Sequence, residues 1–242
     1  MKKILALLVL VPALAWAEEG GEALDRAPVD LNNRPSLQHG AQIFVNNCLS
    51  CHTASLMRYG LLTELGLTEE QVKENLLFSE KIGDAMAPPQ DPKISKAAFG
   101  VVPPDLSLVA RSRSPDWLYT YLRSFYRDPA SKTGWNNTLF PNVAMPNVLW
   151  RQQGEQSLQV KQRQNEFTGD VVLTHRLVLD QPGELSSVEY DRYVGDLVNY
   201  LTWMSEPKQA SRHMWGVLVL FFFTGFFILT ALLKKEYWKD VH

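Results

Sequence analysis

The sequence contains very little cysteine and no excess of positive charge. Only two cysteines, Cys48 and Cys51, occur among its 242 residues, so no structural disulfide can form if both thiols serve another purpose. The formal net charge is −2 at pH 7, which is not the basic composition of a nucleic-acid-binding protein. The chain also lacks an internal repeat. These absences exclude a disulfide scaffold, a nucleic-acid partner and a repeat architecture.

The two cysteines lie in one motif, Cys48-Leu49-Ser50-Cys51-His52. Cys-x-x-Cys-His is the spacing that attaches a c-type haem, because each thiol can form a thioether to a vinyl group while the adjacent imidazole coordinates the iron. A bare Cys-x-x-Cys would equally fit thiol redox chemistry or a zinc site, and a chance pair beside a packed histidine is a further alternative. The added histidine favours haem. We expect one covalently bound haem c per chain, with His52 as an axial ligand.

Both ends of the chain carry apolar segments. In residues 1–17 two lysines precede an apolar stretch that ends in Ala15-Trp16-Ala17, an Ala-x-Ala cleavage site, as in a secretory signal peptide. From Met214 to Leu233 the chain is apolar and uncharged, and at about 1.5 Å per residue it covers about 30 Å, the thickness of a bilayer core. A buried core helix is the alternative, but such a helix is seldom apolar on every side.

These features divide the chain into four parts. We predict a signal peptide at 1–17, an exported monohaem domain at 18–212, a transmembrane anchor at 213–233 and a cytoplasmic tail at 234–242. The signal peptide puts the domain in the periplasm of a bacterium, on the outer side of the cytoplasmic membrane, where haem is joined to this motif. Between the two ends, the patterns predict a mainly α domain with long irregular loops and a short β element.

Local patterns predict the elements around the motif. Residues Glu18–Pro35 show no period and should form an extended arm, and Ser36 can cap a helix that leads into Cys48. The other predicted elements are a helix starting after Thr68, a helix with an aromatic stripe from Pro115 to about Arg127, an irregular loop over Asp128–Asn147, a short strand or one half of a hairpin over Val171–Asp180 and a final soluble helix starting after Ser186.

Methionine is the expected second axial ligand. A haem that carries electrons gains from a sixth ligand that does not exchange, and the soft thioether sulfur favours ferrous iron. Met57 follows His52 too closely to reach the opposite face, and Met204 fits the buried stripe of the last soluble helix. Met86 and Met145 remain, both in loops bounded by prolines. Periodicity does not choose between these two.

Several further motifs follow the haem motif in a set order. They are Pro103-Pro104-Asp105-Leu106-Ser107 with Arg111-Ser112-Arg113, the loop from Phe140-Pro141 to Met145-Pro146, Trp203-Met204-Ser205-Glu206-Pro207 and one C-terminal anchor. The same order occurs in the cytochrome c1 family, which the sequence resembles over essentially its whole mature length. The resemblance implies a cytochrome c-like haem domain in which Met145 is the axial methionine. It also implies that Arg113 lies near a haem propionate and that Pro104 flanks the haem on the His52 side.

The resemblance implies the haem subunit of ubiquinol:cytochrome c reductase, the cytochrome bc1 complex, with cytochrome b and a Rieske iron-sulfur protein as partners. The chain would accept an electron from the Rieske cluster and pass it to a soluble c-type cytochrome, as one redox subunit of a larger oxidoreductase. The residues alone predict less, namely a membrane-anchored, low-spin monohaem electron carrier. Alternatives are a tethered cytochrome that feeds a terminal oxidase or nitrite reductase, and a haem sensor or peroxidase with an open iron position.

Acidic residues predict a docking surface for a basic cytochrome c. They are Glu18, Glu19 and Glu22 in the arm and Glu64, Glu69, Glu70 and Glu74 around the Thr68 helix start. Carboxylates spread over an exposed face would speed encounter with a basic partner. A solvated helical face without a partner is the alternative.

Overall fold

The computed structural model describes residues 23–77, 79–88, 91–164 and 171–240. The predicted signal peptide and the acidic residues of the arm at 18, 19 and 22 lie outside the described residues. The described helices are α1 Arg34–Asn47, α2 Glu69–Asn75, α3 Pro92–Phe99, α4 Val109–Arg113, α5 Pro115–Arg123, α6 Trp150–Gln153, α7 Ser187–Ser205 and α8 Gln209–Tyr237, with a 3-10 helix at Tyr59–Leu65. The strands are β1 Ala54–Arg58, β2 Ala85–Met86, β3 Phe125–Arg127, β4 Trp135–Asn137, β5 Gly154–Gln164 and β6 Val171–Pro182. The described chain is mostly helical, as predicted.

Helices α1 and α7 pack against each other at the centre of the domain. Phe44, Leu197 and Tyr200 are almost completely buried between them, with the Phe44 and Tyr200 ring centroids 5.5 Å apart. Gly40 permits the close approach of the two helices, because a Cβ atom there would lie 2.0 Å from the backbone oxygen of Asp196. The core therefore holds the C-terminal end of α1, where the haem motif begins.

Residues 23–30 form an arm without helix or strand. The backbone N–H of Ala27 donates to the Asp116 carboxylate in α5 at 2.8 Å. The backbone N–H of Asp30 donates to the side-chain oxygen of Asn199 in α7 at 3.0 Å. The arm thus links the two helices that lie on either side of it.

The start of α1 differs from the predicted one. The N-cap is Asn33, whose side chain accepts a hydrogen bond from the backbone N–H of Ser36 at 3.2 Å. The Ser36 hydroxyl donates instead to the Asp196 carboxylate in α7 at 2.6 Å. The prediction of Ser36 as the cap was wrong, because tertiary contact with α7 uses that hydroxyl.

The aromatic helix α5 also ends earlier than predicted. It begins at Pro115 after the cap Ser114, but it stops at Arg123. Residues Phe125–Arg127 form β3, which pairs antiparallel with β4. By contrast, the predicted helix starts after Thr68 and Ser186 are confirmed, and each of these residues is the N-cap in a capping box, Thr68 for α2 and Ser186 for α7.

The strand predicted at Val171–Asp180 is β6, and it is half of a long antiparallel hairpin. Its partner β5 was not predicted, and the pairing runs from Gly154 with Pro182 to Gln164 with Val171. The β structure is therefore more extensive than the short element expected. At the base of the hairpin, the Gln156 side chain donates to the backbone oxygen of Phe125 at 3.2 Å, which attaches the hairpin to β3.

Helix α8 contains a stretch, Met214–Tyr237, that is long and apolar enough to cross a membrane. None of this stretch is buried against the rest of the described structure. The helix continues past the predicted boundary at residue 233 and includes two lysines before it ends at Tyr237. An exposed helix that is apolar on all sides is suited to lipid and not to water.

Candidate haem site

The Cys-x-x-Cys-His motif begins where α1 ends. Cys48 is the C-cap residue, and its backbone N–H donates to the Phe44 carbonyl at 2.9 Å. The chain then turns, so that the N–H groups of Cys51 and His52 both donate to the Cys48 carbonyl, at 3.1 and 2.9 Å. Leu49 is buried and fastens the turn to the core. The two thiols and the imidazole are only half-buried, at the margin of the core, where a large planar ligand can reach them.

The Pro104 carbonyl group orients His52. Its oxygen lies 2.8 Å from Nδ1 of the ring. Because a carbonyl oxygen only accepts, Nδ1 carries the proton and Nε2 keeps a lone pair for a metal. Burial lowers the pKa of His52 despite the opposing effects of the Pro104 carbonyl and the nearby Asp105 carboxylate, so the ring is in its neutral, metal-binding form. Pro104 therefore contacts His52 directly, through its carbonyl oxygen.

Asp105 ties the Pro104 segment to the chain that follows the motif. Its carboxylate accepts from the Thr53 hydroxyl at 2.7 Å and from the backbone N–H groups of Ser55 and Ser107 at 2.8 Å each. Burial on its own would raise the pKa of Asp105, but hydrogen bonds from its neighbours outweigh that effect and hold the pKa well below its usual value. The carboxylate is therefore ionised and keeps the His52 side of the site in place.

The cysteines do not have the properties of a thiol redox site. They are free in the structure. Burial, with a smaller effect of Cys51, raises the pKa of the Cys48 thiol to about 12, whereas reactive thiols have a lowered pKa. No group of three or more histidine, cysteine or acidic side chains that could hold a metal ion occurs within the described ranges. Both observations disfavour the redox and zinc alternatives and leave the haem interpretation.

Buried Asn137 fastens the start of the loop that carries Met145. Its side-chain nitrogen donates to the Tyr121 carbonyl at 2.8 Å, and its oxygen accepts from the N–H groups of Leu139 and Phe140 at 3.0 Å each. The residue is 0% exposed, so all of its polar atoms need partners within the protein. The loop is thus bonded directly to the aromatic helix α5.

A second buried asparagine fastens the end of the same loop. The Asn147 side chain donates to the side-chain oxygen of Gln153 and accepts from the N–H of Leu149 at 3.0 Å. Gln153 in turn donates to the Arg123 carbonyl at the end of α5 at 3.1 Å. Both ends of the methionine loop therefore return to one helix, which limits how far Met145 can move.

Met145 lies at the edge of the core, half-buried and packed against the same cluster as Cys48. The Tyr121 hydroxyl donates to its sulfur at 3.5 Å. Met86, the other candidate, is 0% exposed and lies in β2, where it pairs with Ala54, two residues after His52. Its sulfur accepts a longer hydrogen bond from Tyr200, at 3.8 Å. The two methionines thus differ in burial and in their position relative to the histidine.

Arg113 lies at the start of a row of aromatic rings. Its guanidinium carbon is 5.0 Å from the centroid of the Trp117 ring and 5.9 Å from that of Phe140 in the methionine loop. Trp117 stacks on Tyr121 at 4.7 Å between centroids, and Phe125 meets Tyr121 edge-on at 5.1 Å. Arg113 therefore contacts α5 and the loop that carries Met145, whereas Pro104 contacts His52.

The arrangement fits a c-type haem in its donor set. Two free thiols and a histidine with a lone pair on Nε2 share one turn, and a half-buried thioether is held on a fastened loop. The site and the apolar helix α8 together define a haem protein of the c type with one candidate membrane anchor.

Comparison with known proteins identifies the family. The cytochrome C1 family model matches residues 26–175 and 183–241. A cytochrome c1 from Allochromatium vinosum is 46% identical over 100% of this chain and 99% of that protein. An ammonia monooxygenase gamma subunit from Nitrosomonas europaea is 43% identical, also over 100% of this chain and 99% of that protein. A mitochondrial heme protein, cytochrome c1-2 of Solanum tuberosum, is 29% identical over 84% of this chain and 76% of that protein. The chain belongs to the cytochrome c1 family, and it is a haem protein.

Several site residues were missed by reasoning from the sequence. Asn137 and Asn147 stood out only as part of an asparagine-rich irregular loop, and Tyr121 only as one member of an aromatic stripe. Asp105 was noted as part of a motif but not as the group that joins Thr53 to the Pro104 segment. The adjacent pair Asn136-Asn137, next to a loop with two prolines, is the signal that could have pointed to a fastened loop.

Proposed function

We propose that this chain is the electron-transfer haem subunit of a ubiquinol:cytochrome c reductase, the cytochrome bc1 complex. The observation that carries the proposal is the haem motif with His52 held by Pro104 so that Nε2 is left for iron, in a chain that belongs to the cytochrome c1 family. A bound haem supplies a one-electron couple between ferrous and ferric iron.

In this proposal Cys48 and Cys51 attach one haem covalently, and His52 and Met145 are its axial ligands. Two observations favour Met145 over Met86. Met86 pairs with Ala54, just after His52, which favours the histidine side of the site, and its side chain is 0% exposed within the core. Met145 is half-buried on a loop fastened from another direction, through Asn137 and α5.

Arg113 and Pro104 complete the proposed site. The exposed guanidinium of Arg113 stacks on Trp117 and keeps its charge toward solvent, which suits a propionate carboxylate. Pro104 contacts the haem on the histidine side and holds the His52 ring through its carbonyl oxygen. Each residue therefore has a role that the surrounding contacts support.

The surrounding residues keep the ligands from exchanging. The Pro104 carbonyl fixes the His52 ring, and Asn137 restricts the methionine loop. Axial ligands that move little between the two oxidation states lower the reorganisation energy of electron transfer. Tyr121 of the aromatic row donates its hydroxyl to the Met145 sulfur, and Met145 packs against the core. These are the requirements of an electron carrier rather than of a sensor or peroxidase, which needs an open iron position.

The proposal includes a topology. The signal peptide at 1–17 directs the domain at 18–212 to the periplasm, α8 anchors it in the cytoplasmic membrane, and the tail at 234–242 lies in the cytoplasm. In that position the haem accepts an electron from a Rieske iron-sulfur protein held beside cytochrome b, and passes it to a soluble c-type cytochrome. A chain that feeds a terminal oxidase or nitrite reductase would share the fold but not these partners.

Purification of the intact complex in mild detergent tests the assembly. A tag at the C-terminus should recover cytochrome b and a Rieske protein in equal amounts with this chain. Recovery of monooxygenase subunits, as the name of the Nitrosomonas europaea relative allows, or of an oxidase would contradict the proposal. Carbon monoxide gives a second test, because a strong change in the reduced spectrum would indicate an open iron position and a sensor or peroxidase.

Replacement of each candidate methionine tests the ligand. Met145→Leu should abolish the weak near-infrared charge-transfer band of iron bound to a thioether and lower the midpoint potential, because the soft sulfur favours ferrous iron. Met86→Leu is the matched control, since it removes the other candidate and keeps the core apolar. If Met86→Leu loses the band and Met145→Leu keeps it, Met86 and not Met145 is the axial ligand.

A further inference from the structure

Each of the two candidate methionine sulfurs accepts a hydrogen bond from the hydroxyl of a buried tyrosine. The Tyr121 hydroxyl lies 3.5 Å from the Met145 sulfur, and the Tyr200 hydroxyl lies 3.8 Å from the Met86 sulfur. A thioether sulfur is a weak acceptor, so a tyrosine needs to be held firmly for such a bond to persist. The surroundings of Tyr121 meet that need.

The Tyr121 ring is held on several sides. It stacks on Trp117 with an angle of 12° between the ring planes, and Phe125 contacts it edge-on. Its backbone carbonyl accepts the Asn137 side chain, so the residue also fastens the start of the methionine loop.

We propose that Tyr121 is a positioning residue that raises the reduction potential by hydrogen bonding to the sulfur of Met145. The inference rests on the proposed role of Met145 as an axial ligand. A thioether sulfur has two lone pairs, and iron uses one of them. A hydroxyl that donates to the other withdraws electron density from the sulfur, which makes it a weaker donor and favours ferrous iron. Tyr121 acts through Met145 and does not itself contact the iron.

Tyr121→Phe tests the inference, because it removes only the hydroxyl and keeps the stacked ring. The midpoint potential of the full chain in its complex should fall, while the near-infrared charge-transfer band remains but changes position. Retention of the band shows that the methionine is still bound, so the fall in potential would report the lost hydrogen bond. An unchanged potential with a retained band would overturn the inference.

Two matched controls separate the inference from its alternatives. Tyr119→Phe removes a buried hydroxyl from the same helix, one that donates to the Asp191 carbonyl at 3.4 Å and has no bond to Met145. Tyr119→Phe should leave the midpoint potential unchanged. A fall in potential equal to that of Tyr121→Phe would mean that loosening of α5, and not loss of the bond to Met145, lowers the potential. Tyr200→Phe removes the hydroxyl from the Met86 sulfur and should also leave the potential unchanged.

The controls also distinguish failure of the inference from failure of the proposed ligand. If Tyr200→Phe lowers the potential and Met86→Leu abolishes the charge-transfer band, Met145 is not the ligand and the proposed site is wrong. If Met145→Leu abolishes the band but Tyr121→Phe leaves the potential and band unchanged, the ligand is right and the role of Tyr121 is wrong.

Thermal unfolding of all variants, followed by circular dichroism, identifies a Tyr121→Phe variant that fails to fold. In that case Tyr121→Leu, which is smaller than tyrosine and has no side-chain hydrogen-bond donor, replaces it under the same criteria.

Discussion

The Lys208 ammonium lies 2.8 Å from both carboxylate oxygens of Glu64. Lys208 is the N-cap of α8, and Glu64 belongs to the 3-10 helix, so the ion pair connects the domain to the start of the candidate membrane helix. The pair is exposed on the lysine side, and exposed pairs contribute only about 0.2 to 1 kcal/mol. The ion pair matters because of where it holds Glu64. Glu64 is engaged beside the membrane helix, which removes it from the acidic residues expected to attract a soluble partner.

The remaining acidic residues of α2 give a narrower docking prediction. Glu69 pairs with Lys73 at 3.4 Å, whereas Glu70 and Glu74 are exposed. Raising the salt from about 10 mM to about 150 mM shortens the screening length from about 30 Å to about 8 Å, so electron transfer to a basic cytochrome c should slow. Replacing Glu70 and Glu74 with glutamine should flatten that dependence, as measured by stopped-flow oxidation.

Glu64→Gln is the control for this measurement and should keep the original salt dependence. A salt slope that is the same in the Glu70 and Glu74 variant as in the unaltered protein would mean that α2 is a solvated face without a docking role. Haem spectrum and potential should stay nearly unchanged in both variants, because exposed carboxylates distant from the ligands affect encounter and not coordination.

Loss of Asn137 should destabilise the domain. Asn137→Ala leaves the N–H groups of Leu139 and Phe140 without their partner, and buried unpaired groups cost about 1 to 3 kcal/mol each. It also removes one of the two donors to the Tyr121 carbonyl, which keeps its bond from the Ser124 N–H. Allowing for relaxation and entry of water, we expect a loss on the order of 3 kcal/mol in the free energy of unfolding. Thermal unfolding in detergent would measure it, together with weakening of the near-infrared band as the methionine loop loosens.

Asn46→Ala provides the comparison, because Asn46 lies on the exposed face of α1. Substitutions at such positions usually change stability by less than about 0.5 kcal/mol. Equal stability of the Asn46 and Asn137 variants would show that the buried hydrogen bonds of Asn137 do not hold the loop.

Asp105 should make the stability of the domain depend on pH in the acid range. Hydrogen bonds hold the pKa of Asp105 below its ordinary value in the folded state, despite burial, so the unfolded chain takes up the proton more readily. The stabilisation is therefore complete above the ordinary pKa, about 3.9, and is lost as the pH falls from there toward the lower folded pKa. Asp105→Asn should be less stable at neutral pH and should lose less stability on acidification. Parallel stability profiles for the two proteins between neutral and acid pH would refute this role.

Each cysteine of the motif should be required for stable covalent attachment of haem. Cys48→Ala or Cys51→Ala removes one of the two expected thioethers. We expect little haem to remain on the chain after denaturation and acid-acetone extraction, as measured by haem staining. Ser50→Ala, between the two cysteines, is the matched control and should retain its haem. Normal covalent haem in either cysteine variant would contradict the proposed attachment.

The sequence by itself determined the features whose physical cause is local. The haem motif depends on the spacing of Cys48, Cys51 and His52 within one turn. The capping boxes at Thr68 and Ser186 use atoms three residues apart, and α8 follows from a continuous apolar run. The resemblance to the cytochrome c1 family came from the haem motif and the order of the motifs that follow it, and the family model matches residues 26–175 and 183–241.

Only the tertiary structure decided the contacts between distant residues. The partner of His52 is Pro104, 52 positions away, and the sulfur of Met145 meets Tyr121 on another element. Helix α5 stops at Arg123 because β4 offers a strand partner to the residues that follow. Strand β5 is rich in glutamine and lacks a strand pattern, so its conformation comes from pairing with β6. Such choices depend on the free energy of packing and pairing elements together, which local propensity does not contain.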